Sequence, residues 1–276
     1  MSNINAADVA KLRRMTGAGM MDCKKALEEA AGDFEKAQEI IRKRGQAIAN
    51  KRADREATEG VVLAKTTADG TRGMMISLNC ETDFVAKNAD FIALGNSILN
   101  VALKSGTADL DALKSTSADG RKVSELIIEK SGITGEKFEL SFFGTISAPA
   151  VQAYIHPGNK LATLVGFSKA GLDIQVYKDV AMQVAAMNPV SVDKDDVPEK
   201  ILAQELEIAR EQARNEGKPA DMLDKIAQGK LNKFFKESTL MNQEFIKDSK
   251  LSIRQYLESK DKGLKVTGFI RYTLNV

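Results

Sequence analysis

The chain has 276 residues, 43% of them hydrophobic and 28% charged, a composition that can bury about two or three ordinary cores. With 40 Lys plus Arg against 38 Asp plus Glu, the net charge of +2 offers no whole-molecule field for a polyanion, so any partner must be read by a local surface. No apolar run reaches the roughly 18 to 20 residues that cross a bilayer, and the polar start Met1-Ser2-Asn3-Ile4-Asn5 lacks a secretory core, so a cytoplasmic protein without membrane contact is expected.

The first fifty residues predict three short helices. Val9 and Leu12, then Met20, Cys23 and Leu27, then Phe34, Ala37 and Ile41 recur at helical spacing. Thr16-Gly17-Ala18-Gly19 breaks the first pair, and Gly32-Asp33 ends the second helix and offers Asp33 as N-cap of the third. From Arg42 to Glu59 the pattern turns charged and weakly apolar, which reads as a solvated linker. A nucleic-acid patch is the alternative there, but no aromatics are interleaved for base stacking.

Gly60–Ala64 and Met74–Leu78 flank Asp69-Gly70, a hairpin signal, and Phe91, Leu94, Ile98, Val101 and Ala102 then form one helical stripe closed by Ser105-Gly106. Asp109–Gly135 reads as a polar helical connector. The order strand, turn, strand, helix then recurs in Val151–Ile155, Pro157-Gly158, Leu161–Phe167 and a helix carrying Val176, Val180, Val184 and Met187. Asp196-Val197-Pro198-Glu199 opens a helix with Leu202, Leu206, Ala209 and Ala213, and after Glu216-Gly217-Lys218-Pro219 a second carries Leu223, Ala227, Leu231 and Phe234. Two narrow stripes joined by a short turn predict an antiparallel helical hairpin. Leu264–Leu274 alternates like a final strand that returns to the second sheet.

The chemistry-bearing residues are sparse. Cys23 and Cys80 form no C-x-x-C pair and read as free thiols in a reducing compartment. With His156 the only histidine, no Cys/His metal site within one chain is expected. There is no phosphate loop, dinucleotide fingerprint, nucleophile elbow or zinc-protease helix, so neither a catalytic residue nor a cofactor is expected. Gly17-Ala18-Gly19 is an interhelical turn. His156 reads as an exposed turn residue, with contact to another protein as the alternative. On its own, Cys80-Glu81-Thr82-Asp83-Phe84-Val85 reads as a helix start, with Thr82 or Asp83 as cap and Phe84 as a core plug. A thiol enzyme built on Cys80 and His156 would need a proximity that the sequence does not provide.

Two segments carry more. Leu12–Leu27, reading Leu12-Arg13-Arg14-Met15-Thr16-Gly17-Ala18-Gly19-Met20-Met21-Asp22-Cys23-Lys24-Lys25-Ala26-Leu27, and Leu78-Asn79-Cys80-Glu81-Thr82-Asp83-Phe84-Val85-Ala86-Lys87 resemble the signature segments of the translation elongation factor Ts family. Tyr154-Ile155-His156, the helical hairpin and Val266–Arg271 are similar to further parts of it.

The resemblance implies an α+β fold: a ubiquitin-associated-like three-helix module with linker (1–55), then two similar α+β subdomains with antiparallel sheets (56–145 and 146–276). The second carries an inserted antiparallel coiled-coil hairpin (197–237). It implies a guanine nucleotide exchange factor, not an enzyme, whose partner is elongation factor Tu carrying GDP. Arg13, Met20 and Met21 would touch the partner's GTP-binding domain. Thr82, Asp83, Phe84 and Val85 would form a wedge near its magnesium site, and His156 in the second subdomain would meet another domain. A binding or scaffold protein of the same fold without exchange activity is the alternative. No direct nucleic-acid contact is implied, and a homodimer is left open. Two departures stand out. Ser77 occupies a position where many relatives carry an acid, and the further helical module that some members have after the last strand is expected to be missing.

Overall fold

The computed structural model describes residues 4–118 and 120–274. The fold is α+β, with helices interleaved among antiparallel strands. The described residues divide into two compact units, one of 4–63, 76–144 and 274, the other of Ala64–Met75 and Thr145–Thr273.

In the first unit, α1 (Ala6–Thr16), α2 (Met20–Glu29) and α3 (Phe34–Lys51) close on Leu12, Cys23, Leu27, Ala37 and Ile41. Each large apolar side chain buried there contributes about 1.5–3 kcal/mol. The ends follow local chemistry. Asn5 and Asp8 form a capping box on α1. Gly17, in the left-handed region at φ +73°, ends that helix and donates to the Arg13 carbonyl at 2.7 Å. Asp33 caps α3 by accepting from the Glu35 and Lys36 amides. Met20 departs from the expected stripe: Cys23 and Leu27 are buried, whereas Met20 is exposed.

The solvated linker expected from Arg42 onward is corrected by α3, which continues helical to Lys51. Beyond Ile41 most of its residues are exposed; Gly45 is buried, and Arg44 and Ala49 are half-buried. After β1 (Glu59–Thr66), β2 (Arg72–Cys80), α4 (Asp83–Ala86), α5 (Ala89–Ser105) and α6 (Leu110–Ser115), a two-residue ladder of β3 (Ser117–Ala118) and β4 (Arg121–Lys122) leads into α7 (Val123–Thr134). That segment is no mere connector. Helix α7 packs along α3, and a methyl group added to Gly132 would fall inside the backbone of Gly45. The helices cross at backbone contact, which only glycine permits. Periodicity missed this seam because it is made of absent side chains.

Strand β5 (Glu139–Ser147) completes a sheet in the order β1-β2-β5. The Asp69-Gly70 turn is where it was expected, with Gly70 donating to the Thr67 carbonyl at 3.0 Å. Helix α5 lies on β1 and β2 through Gly95, which faces Leu63, Val61 and Leu78. Phe91 meets Phe138 edge to face at 4.8 Å.

The second unit contains β6 (Ala150–Ile155), β7 (Leu161–Phe167), α8 (Ile174–Met187), α9 (Glu199–Asn215), α10 (Leu223–Ser238), β8 (Glu244–Phe245), β9 (Asp248–Ser252), α11 (Ile253–Lys260) and β10 (Val266–Thr273). Its sheet runs β10-β7-β6, antiparallel throughout, with Tyr154 opposite Thr163 and Phe269 opposite Val165. Helices α9 and α10 form the expected antiparallel pair. Ala209, Ala213, Ala227 and Leu231 are buried, and Arg210 to Asp224 (2.8 Å) and Lys230 to Glu216 (3.3 Å) link the two helices.

The stretch between α10 and the final strand, unread in the sequence, supplies much of this core. Phe245, Ile253, Tyr256 and Leu257 pack with Val176, Val180 and Val184 of α8. Beneath them Asp179 accepts from Gln175 (2.6 Å), Lys247 (2.7 Å) and the Tyr256 hydroxyl (2.8 Å). Burial works to raise its carboxyl, but the three donors outweigh it and hold the group below its ordinary range, while burial and this same carboxylate push the Tyr256 phenol up.

Candidate partner-binding site

The end of β2 is anchored before it turns. Asn79 donates to the Ala57 carbonyl (3.0 Å) and accepts from the hydroxyls of Ser77 (2.9 Å) and Ser141 (2.6 Å). Ser77, which replaces an acid in the resemblance, thus holds the residue that launches the turn. Cys80 is fully buried, and its thiol donates to the Thr82 carbonyl at 3.2 Å. Burial, assisted by the nearby Glu136 carboxylate, pushes that thiol up to about 12. A protonated, enclosed sulfur is no nucleophile, which removes the thiol-enzyme reading.

The next two residues are clamped from two directions. Glu81 receives both bonds of a fork from Arg52 Nη1, at 2.9 and 3.0 Å, and the Lys137 amide at 2.7 Å. The Lys137 amide first, then Arg52, holds the Glu81 carboxyl below its ordinary range against the opposing effect of burial. Thr82 donates its amide to Glu136 Oε2 (3.1 Å) and its hydroxyl to Glu136 Oε1 (2.7 Å). Its hydroxyl oxygen also accepts from the Val85 amide at 3.4 Å, so Thr82 is the N-cap of α4.

On this base sits a single turn. Ala86 is buried, Val85 half-buried, and Asp83 pairs with Lys87 at 2.6 Å. Phe84 is 84% exposed, the most exposed large apolar side chain among the described residues. The core-plug expectation is therefore overturned: the cap was correctly read, but the aromatic ring points to solvent. The Phe84 ring is thus presented to solvent on a turn fixed from beneath by the bonds of Glu81 and Thr82.

A family model described as Elongation factor TS matches residues 81–276. The chain belongs to the elongation factor Ts family. The Elongation factor Ts of Porphyromonas gingivalis (strain ATCC 33277) is 54% identical over 273 residues, covering 99% of this chain and 98% of that protein. That of Christiangramia forsetii is 50% identical over 276 residues, covering 99% and 100%. That of Amoebophilus asiaticus is 54% identical over 270 residues, covering 97% and 98%. Family membership carries a role in translation elongation. No helix among the described residues is long and apolar enough to cross a membrane.

The other residues singled out in this family member lie on separate elements. Arg13 is exposed in the last turn of α1, and Met20 and Met21, 45% and 62% exposed, open α2 across the left-handed Gly17. In the second unit His156 is exposed just past β6, its Nδ1 3.0 Å from the Tyr154 hydroxyl. Four residues that shape the site were missed: Arg52, Glu81, Glu136 and Lys137. Glu81 sat in the motif unnoticed, Arg52 in the supposed linker, and Glu136-Lys137 more than fifty positions away, beyond the reach of any local pattern.

Proposed function

We propose that the chain is a guanine nucleotide exchange factor that binds elongation factor Tu with GDP, disturbs the partner's magnesium and phosphate site, and promotes GDP release so that GTP can bind. The observation that carries this reading is the bare Phe84 ring on a turn held from beneath by Glu81 and Thr82. GTPases hold GDP largely through magnesium and a phosphate loop. A rigid aromatic group driven between partner elements can displace both, while Asp83 competes for groups organised around the cation.

No covalent bond is made or broken in that role, so the chain acts as a catalyst of exchange and not as an enzyme. Coupling is reciprocal: if the factor weakens GDP binding, nucleotide weakens factor binding equally, and incoming GTP releases it. In this reading Arg13, Met20 and Met21 grip the GTP-binding domain, and His156 meets another domain. The cytoplasm is the compartment, where the partner works.

Stopped-flow release of a fluorescent GDP from elongation factor Tu tests the reading. Micromolar chain is expected to accelerate release. A release rate unchanged by the chain would sink the proposal and leave a binding protein of the same fold.

A further inference from the structure

We infer that Glu136 is a positioning residue for the Phe84 turn, acting through Thr82 and never touching the partner; this rests on the exchange reading. A four-residue helix is far too short to persist alone, because one turn fixes several dihedrals for a single hydrogen bond. Something outside α4 must therefore supply its order. The carboxylate of Glu136 takes both the amide and the hydroxyl of the N-cap residue, and that hydroxyl in turn receives the Val85 amide. Two charge-assisted bonds converge on the residue two positions before Phe84.

Glu136 is itself held. Gly135 ends α7 in the left-handed region and donates to the Ser131 carbonyl at 2.8 Å, and the Ser131 hydroxyl donates to the Glu136 carbonyl at 2.5 Å. The exchange between the two segments is reciprocal: Glu136 receives the Thr82 amide, and Glu81 receives the Lys137 amide. Arg52, just beyond the C-terminal end of α3, closes the same clamp on Glu81, and α3 lies against α7 at Gly45 and Gly132. The glycine crossing of two helices thereby brings Arg52 and Glu136 to one turn.

A turn that is not already held must be ordered in the step that inserts its ring, after the other contacts have docked, and that step is slowed by the ordering cost. Glu136→Ala is expected to lower the maximal GDP-release rate about tenfold, while the concentration giving half-maximal release changes little, since the other contacts remain. Glu136→Gln retains an acceptor for the Thr82 amide and should recover an intermediate rate. In a Phe84→Ala background, Glu136→Ala should cost almost nothing more, because the turn then has no ring to position.

Hydrogen exchange of the amides of 82–86 gives a readout independent of the partner: protection is expected to fall in Glu136→Ala and to be partly kept in Glu136→Gln, with melting temperatures near that of the parent. Unchanged protection, or an equal loss of rate with and without Phe84, would overturn the inference. If the parent chain fails to accelerate GDP release, the exchange reading falls, and hydrogen exchange still decides for or against the clamp.

Discussion

The chain twice passes from a strand hairpin into helix, and it treats the aromatic at the junction in opposite ways. After β7 the turn is drawn inward. Tyr177, buried in the first turns of α8, packs its ring 4.7 Å from Phe167, donates to the Lys169 carbonyl at 2.9 Å and accepts from the Leu172 amide at 3.3 Å. Lys169 meanwhile bonds to Asp261 (2.5 Å) and the Lys262 carbonyl (2.8 Å). After β2 the turn is held by charged groups under Glu81 and Thr82, and the aromatic is left outside. One junction uses its ring for the core; the other uses polar bonds so that the ring stays available. The lesson is that rigidity and exposure are compatible when the order comes from backbone capture and not from the side chain itself.

The contrast can be broken at its strongest point first. Tyr177→Ala is expected to destabilise the second unit by about 3–5 kcal/mol through cavity formation and two lost hydrogen bonds. Chemical denaturation would measure this, and Tyr177→Phe should cost only about 1 kcal/mol. Phe84→Ala should leave stability within about 0.5 kcal/mol yet slow assisted GDP release about 30-fold, near 2 kcal/mol of lost engagement. Thermal melts and stopped-flow measurements on the same sample would separate the two effects, and a large melting shift would show that the ring packs after all.

Smaller effects sharpen the same comparison. Thr82→Ala removes the cap and one bond to Glu136, and is expected to cost about 1 kcal/mol locally, read as faster hydrogen exchange at Val85 and Ala86. The smallest effect is one of pH. Because the folded Glu81 carboxyl lies below the ordinary glutamate value of 4.5, its bonds to Arg52 and Lys137 contribute fully above that value. The contribution is lost as pH falls from 4.5 through the lowered folded value. Acid should therefore loosen residues 81–87 as followed by a fluorinated Phe84 in NMR, and Glu81→Gln should remove the Glu81 part of that dependence.

Legibility in the sequence followed the range of the interactions. The α1 stripe, the Asp33 cap, the Asp69-Gly70 turn, the α5 stripe ending at Gly106 and the paired helices α9 and α10 depend on neighbours within a turn or a hairpin, and each was readable, whereas β10 was readable from its own alternation although its partner β7 lies far earlier in the chain. Helix α11 was readable in principle: Ser252 and Gln255 form a capping box, and Ile253, Tyr256 and Leu257 share a helical face. Its signal lies between stronger ones.

What the amino-acid order determined by itself was thus many of the local elements and, through two long motifs, the family. Tertiary structure decided the rest. Whether Phe84 would be core or surface depended on Glu136 and Lys137 arriving from more than fifty residues away and on Arg52 being carried there by a helix that looked like a linker. That helix meets α7 where Gly45 faces Gly132, a contact invisible to hydrophobic patterning since it consists of missing side chains. Helix caps and stripes are set by bonds a few residues long, whereas the exposure of a ring is set by everything that could have covered it.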